Sequence, residues 1–393
     1  MYLLRHAGLR AGISLAALAL VWAQSDSLNA ITFLKRECRR LCRFQGRGHG
    51  QPGAEEALRY LTRRWQKMGY SVRVDTFWIR IYRFERVRAQ GDRRKWREGR
   101  DYLPAADCPT LHGEWPVDTL PAQGKAWWVP PSLPVKEAVK IAREKGVAVV
   151  LFPQRKLTAS LAEAPGTLPL LYVRDTLPRP KTFRAAIRGH SRMAPAWNIS
   201  AHLKGRRNDS AWVVGAHYDH LGRLGRATFW GANDNSSGIA LLLLLAERLR
   251  KRSVPYDIWF VAFGAEESGL IGSQVWVAQP PYPLNRLRGM INLDLVGFGE
   301  KGVAVVGGSD QPDFWHRADR IRVQQGWDPP ILVRPNAPNS DHYPFREKGV
   351  PALFFYLQGG PGFYHDIYDK PQTLTWAGTY CLLRWIEAWL SSP

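Results

Sequence analysis

Residues 212–238 read WVVGAHYDHLGRLGRATFWGANDNSSG. The apolar run Trp212–Ala216 has the make-up of a buried central strand, and His217 stands where that strand would emerge. Imidazole is a common transition-metal ligand. Asp219, two residues on, is placed to receive the other ring N–H of His217 and so fix its tautomer. Asp234 follows in GANDNSSG, just ahead of a helical run expected over Ile239–Lys251. A His-x-Asp alone is equally a surface loop, so its meaning depends on what else the chain brings to the same edge.

Further carboxylates arrive in the same way. The apolar run DIWFVAF (257–263) predicts a second buried strand, which delivers Glu266 and Glu267 at its carboxyl end. Adjacent buried carboxylates are tolerable if a cation takes one and the other handles a proton. A strand expected over Arg288–Leu295 carries Asp294 near its end, and one over Ala352–Leu357 leads through a glycine-rich loop to His365. His217, Asp234, Glu266, Glu267, Asp294 and His365 therefore fall on one rim of an α/β sheet, outside the carboxyl ends of its strands, where such sheets bind ligands. Two histidines and three or four carboxylates, with no thiolate, suit zinc, or cobalt or manganese. One shared carboxylate would make a two-metal centre.

The rest of the chain sets the frame. With 393 residues and 45% hydrophobic content, it can bury one large core and a smaller one. Lys and Arg number 55 against 34 Asp and Glu, a formal net charge of +21, but the basic residues are scattered and no nucleic-acid motif organises them. Residues 1–23 have the basic start and short apolar stretch of a secretory signal, too short for a stable membrane anchor, and predict a secreted or periplasmic protein. Cys38, Cys42, Cys108 and Cys381 are an even set that allows one or two disulfides. Residues 24–100 open the main domain with two helices around the loop Gly46–Gly53, read as a chain reversal, and a strand over Ser71–Arg83. Residues 101–193, rich in Pro and Trp, predict a small, mainly β insert with one helix over Val135–Glu144, and 194–393 resume the main domain.

The series GAHYDHLG (215–222), GANDNSSG (231–238), AFGAEESGLIGS (262–273), INLDLVG (291–297), SDHYPF (340–345) and YHDIYD (364–369) resembles the co-catalytic zinc aminopeptidases of clan MH. Relatives of that family include glutamate carboxypeptidase, glutaminyl cyclase and the transferrin receptor. The resemblance covers about Ile31–Tyr70 and Asn198 onward; the segment between is more weakly similar to the family's protease-associated insert. It implies a three-layer α/β/α zinc-peptidase fold with a mixed, largely parallel sheet. It also implies two Zn2+ ions, one on His217 and Asp294, the other on Glu267 and His365, with Asp234 bridging and the bond after it cis. Glu266 would be the general base and Asp219 the partner of His217. The chain departs from the family at Asp366 and Lys370, neither a ligand.

Tyr364 either offers its hydroxyl to a developing oxyanion or packs as a rim aromatic. Asp341 and His342 could contact substrate, Asp341 equally starting a helix, and His220 is set aside as a ligand. The resulting expectation is a metal-dependent exopeptidase acting on the N-terminal residues of peptides, with no specific nucleic-acid partner. A single-zinc cyclase of the glutaminyl cyclase type and a non-catalytic binding relative remain as alternatives.

Overall fold

The computed structural model describes residues 15–393, with side chains from Gln24 onward, so the leader expected at 1–23 lies outside the residues described in full. No helix among the described residues is long and apolar enough to cross a membrane.

Four strands run parallel through the centre, in the spatial order Ala352–Gln358, Leu287–Leu293, Arg207–His217, Tyr256–Phe263. Antiparallel strands flank them: Gly302–Val306 beside the first and Thr182–Leu203 beside the last. Alternation along the central strands assigns the two faces. Trp212, Val214 and Ala216 face a core shared with the helices Leu15–Cys42, Gly238–Leu249 and Thr379–Ser391. Ala211 and Val213 join Phe263 and Met290 in a second cluster against the helices Ile271–Ala278 and His342–Glu347. Both faces are covered, which is why these strands read as continuous apolar runs. The layers are therefore α/β/α. Helix Gly238–Leu249, GIALLLLLAERL, is buried nearly all round, as a helix apolar on every side must be. Truncating Leu242 within it would cost about 2–5 kcal/mol.

A separate core gathers Tyr102, Trp127, Val149, Leu171 and Phe183 around the strands Leu111–Asp118, Ala126–Trp128, Val149–Gln154 and Leu170–Arg174 and the helix Val135–Glu144. Two long strands connect the cores. Ser71–Gly91 and Thr182–Leu203 pair antiparallel from Ser71↔His202 to Gly91↔Phe183, so residue 193 falls inside one continuous strand. Pro195 sits in this ribbon opposite Trp78, a site that dispenses with a backbone donor. All four cysteines are free thiols.

Candidate metal centre

The four parallel strands end together, and the loops leaving them carry the polar residues. His217 closes Arg207–His217; Glu266 and Glu267 follow Tyr256–Phe263; Asp294 follows Leu287–Leu293; His365 follows Ala352–Gln358. Asp234 enters from the turn before helix Gly238–Leu249, and the bond between Asp234 and Asn235 is cis. Gly231 holds φ +58°, and a Cβ there would collide with the His220 ring and the Asp234 carbonyl. The helix start is capped by Asn235, whose Oδ1 accepts the Gly238 N–H at 2.9 Å. Ser236 and Ser237 instead donate backwards, to the Gly231 and Asn233 carbonyls.

These residues form two clusters that share Asp234: His217, Asp234 and Asp294; and His220, Asp234, Glu267 and His365. His217 Nε2 lies 3.3 Å from Asp234 Oδ1 and 3.4 Å from Asp294 Oδ1. His365 Nε2 lies 3.2 Å from Asp234 Oδ2 and 3.1 Å from Glu267 Oε2. One carboxylate thus turns a different oxygen to each group. Ligands about 2.0–2.1 Å from a tetrahedral cation stand about 3.3 Å apart, which is the spacing found here. Asp294 Oδ1 and His365 Nε2 are buried with no hydrogen-bond partner, an arrangement that suits ligand atoms. The donor set fits two divalent cations of the zinc type.

The surroundings hold the ligands by their other atoms. His365 Nδ1–H donates to the Ala159 carbonyl at 3.0 Å, and Ser340 Oγ donates to Asp294 Oδ2 at 2.9 Å. Asp369 accepts the backbone N–H groups of Asn233 and Asp234, fixing the bridging residue from behind. The partner expected for His217 differs in atom. His217 Nδ1 meets the Asp219 carbonyl at 3.2 Å, while the Asp219 carboxylate accepts the N–H groups of Glu266 and Glu267 at 3.2 and 3.4 Å. Asp219 therefore orients the histidine through its backbone and the glutamate pair through its side chain.

One residue that the sequence reading set aside as a ligand, His220, and two that it did not single out, Arg47 and His49, belong here. His220 is fully buried, its Nδ1 2.6 Å from Glu267 Oε1 and 3.8 Å from Asp234 Oδ1. Arg47, also fully buried, donates to the carbonyls of Tyr218, Trp230 and Gly231, tying together the loops that carry His217 and Asp234. His49 Nε2 accepts the Ala265 N–H at 2.9 Å and so must be neutral there. The loop read as a chain reversal supplies both Arg47 and His49. Asp341 occupies the N-cap position of its helix but makes no capping bond; it is buried with both oxygens unpartnered. Tyr364 is half exposed, its ring stacked on His365 at 3.9 Å between centroids.

Burial and neighbouring charge separate the two glutamates. Burial raises Glu266 well above the carboxylate range, and Glu267, Asp341 and Asp294 add to that against the pull of His217. Burial would raise Glu267 too, but His365 and His220 draw it down to about 2. Two adjacent carboxyls are thus given opposite proton affinities. Burial likewise lifts Asp219 to about 6 and Asp341 to about 7, and lowers His49 to about 3.

Residues 198–388 match the family described as Peptidase family M28. An aminopeptidase of Bacillus subtilis, YwaD, is 36% identical over 156 residues, 38% of this chain and 32% of that protein. Leupeptin-inactivating enzyme 1 of Streptomyces exfoliatus is 29% identical over 162 residues, 40% of this chain and 35% of that protein. The aligned stretch thus spans about a third of the length of these curated relatives. Among solved structures, a zinc aminopeptidase from Bacillus subtilis superposes with a TM-score of 0.73 at 22% identity, covering 91% of this chain and 93% of that one. A Porphyromonas gingivalis glutaminyl cyclase superposes with 0.54 at 16% identity, covering 91% and 96%. Residues 198–388, which hold every member of both clusters, therefore match peptidase family M28 and are built on a fold shared with zinc aminopeptidases.

Proposed function

We propose that this chain is a metal-dependent aminopeptidase that uses two divalent cations. The observation that carries this reading is the shared Asp234, one oxygen toward each cluster, with Glu266 Oε2 3.9 Å from His217 Nε2 at the same rim. His217 and Asp294 would hold one cation, Glu267 and His365 the other, and Asp234 both. When bound, such a pair lowers the pKa of a water between them and polarises a carbonyl. Glu266, with its raised proton affinity, takes the proton of the attacking water and delivers it to the leaving amine. Asp219 positions Glu266 and Glu267 through their backbone N–H groups. Tyr364 stands at the rim, where its hydroxyl can meet the oxygen of the attacked carbonyl. Peptides are the substrates, and secretion or periplasmic residence follows from the basic-then-apolar start of the sequence. Residues 101–193 act as an accessory unit on the cleft, since Ala159 and Lys156 both contact the His365 loop.

The test is a panel of aminoacyl-coumarin substrates with and without a strong chelator, alongside metal analysis. About two divalent metals per chain and chelator-sensitive release of amino acid are expected. Full activity in metal-free protein would overturn the proposal. Pyroglutamate formed with one metal bound would favour the cyclase reading instead.

A further inference from the structure

The first half of the strand Ser71–Gly91 is paired on one side only. Thr182–Leu203 holds one edge of it from Ser71 onward; on the other edge the first contact among the described residues is at Tyr82, whose N–H donates to the Ala162 carbonyl at 2.7 Å. That bond fixes the sense of the edge. Backbone groups of an antiparallel strand point to alternate sides, so the N–H and C=O of Val72, Val74, Thr76, Trp78 and Arg80 point outward as those of Tyr82 do. None of them meets a partner among the described residues. Proteins usually blunt such an edge with a bulge, a proline or a charge. Here the first irregularity comes only at Phe84/Arg86, and the outward groups over 72–78 belong to Val, Val, Thr and Trp, all strand formers. Val74 is 40% exposed and Trp78 63%.

The sequence at this edge complements itself. Arg73 and Asp75 lie on the opposite face of the strand from Val72, Val74 and Thr76, and pair within the chain, Nε to Oδ1 at 2.7 Å. Let two copies meet antiparallel about a twofold axis at Val74. Residue 73 of each then faces residue 75 of the other, so Arg73 stands opposite Asp75 on both sides of the axis, and Val72 stands opposite Thr76. The 73–75 pairs are the narrow, non-hydrogen-bonded ones, in which side chains stand closest. An axis at Asp75 would instead set two aspartates face to face, and one at Thr76 or Phe77 would set both charges opposite apolar residues.

We propose that residues 71–77 form a homodimer interface, joining two copies of this chain edge to edge about Val74 into one continuous antiparallel sheet. The proposal does not depend on the peptidase reading. The other edge of Thr182–Leu203 pairs with Tyr256–Phe263, the strand that leads to Glu266. The free edge thus lies on the far side of that strand pair from the metal clusters, and covering it leaves the centre open. The strip is short, so the dimer is concentration-dependent, forming over about 1–100 µM.

The test is sedimentation equilibrium of the full chain and its charge variants. Asp75→Arg sets Arg opposite Arg across the axis and should weaken the dimer roughly tenfold or more, as should Arg73→Asp, which sets Asp opposite Asp. The swap Arg73→Asp/Asp75→Arg restores opposite charges and should return the dimer to within about threefold of the wild type, which neither misfolding nor a general change of surface charge would do. Register is read by cross-linking. Val74→Cys should form a disulfide dimer on mild oxidation, because residues at the axis stand within disulfide reach; Trp78→Cys, on the same edge but off the axis, should not. Single reversals without effect, a swap that fails to restore the dimer, or equal cross-linking at 74 and 78 would each overturn the proposal. So would a chain that stays monomeric to about 100 µM, which would leave the edge to a strand of another protein.

Discussion

Ala159 and His365 exchange a pair of hydrogen bonds: the Ala159 N–H donates to the His365 carbonyl at 3.1 Å, and the His365 ring Nδ1–H donates to the Ala159 carbonyl at 3.0 Å. One residue of the segment 101–193 thus fixes both the backbone and the tautomer of a metal-cluster histidine 206 positions away. Such partners typically contribute 10–100-fold in metal affinity or activity. Ala159→Pro, which deletes the N–H, should therefore weaken binding of one of two metals by roughly that factor. Competition with a fluorescent chelator measures it; two unchanged affinities would show that the contact is incidental.

Glu266 and Glu267 should separate on mutation. Glu266→Gln keeps a polar side chain but cannot accept a proton, so metal content should hold while kcat falls roughly 100- to 10,000-fold. Glu267→Gln should lose metal as well as activity. Metal analysis beside steady-state kinetics decides, and identical behaviour of the two variants would rule out the division of labour.

His220 touches Glu267 more closely than any other side chain does. His220→Ala should release that carboxylate and reduce metal affinity by about 10–100-fold, with a smaller loss of kcat once metal is saturating. Titrating activity against added Zn2+ separates the two effects. An unchanged Zn2+ dependence would leave His220 a packing residue only.

The pH dependence of stability carries a signature of His49. Its folded pKa is about 3 against an ordinary value of 6.5, so the unfolded chain takes up the extra proton. That contribution is fully present above about pH 6.5 and is lost as pH falls from there toward 3. The loss amounts to a few kcal/mol at most. His49→Gln can still accept the Ala265 N–H but does not titrate. Its acid limb in denaturant midpoint against pH, between pH 6.5 and 4, should be shallower than that of the wild type; parallel limbs would contradict the assignment.

What the sequence showed best was whatever depends on local pattern. Runs such as Trp212–Ala216 and DIWFVAF announce buried parallel strands because both faces are covered, and the rim residues follow at their ends. Long-range partnership left no such trace. Arg47 and His49 sit in a glycine-rich loop and act on backbone groups of Tyr218, Gly231 and Ala265, so nothing in residue spacing announces them. Asp219 was found, but its carbonyl and carboxylate have separate tasks that no motif distinguishes. The ribbon of Ser71–Gly91 and Thr182–Leu203 runs past its expected ends because pairing between the two strands, and not an apolar alternation in either, sustains it.

The two sets that share Asp234 also differ in how far along the chain their members lie. In chain order His217, Asp234 and Asp294 all precede the strand Ala352–Gln358, whereas the other set takes its last member, His365, from beyond it. That last histidine reaches the rim only when its strand docks parallel to Leu287–Leu293. Completion of the second set is thereby tied to the docking of that strand, and a chain halted short of it has the full donors of one set and only part of the other.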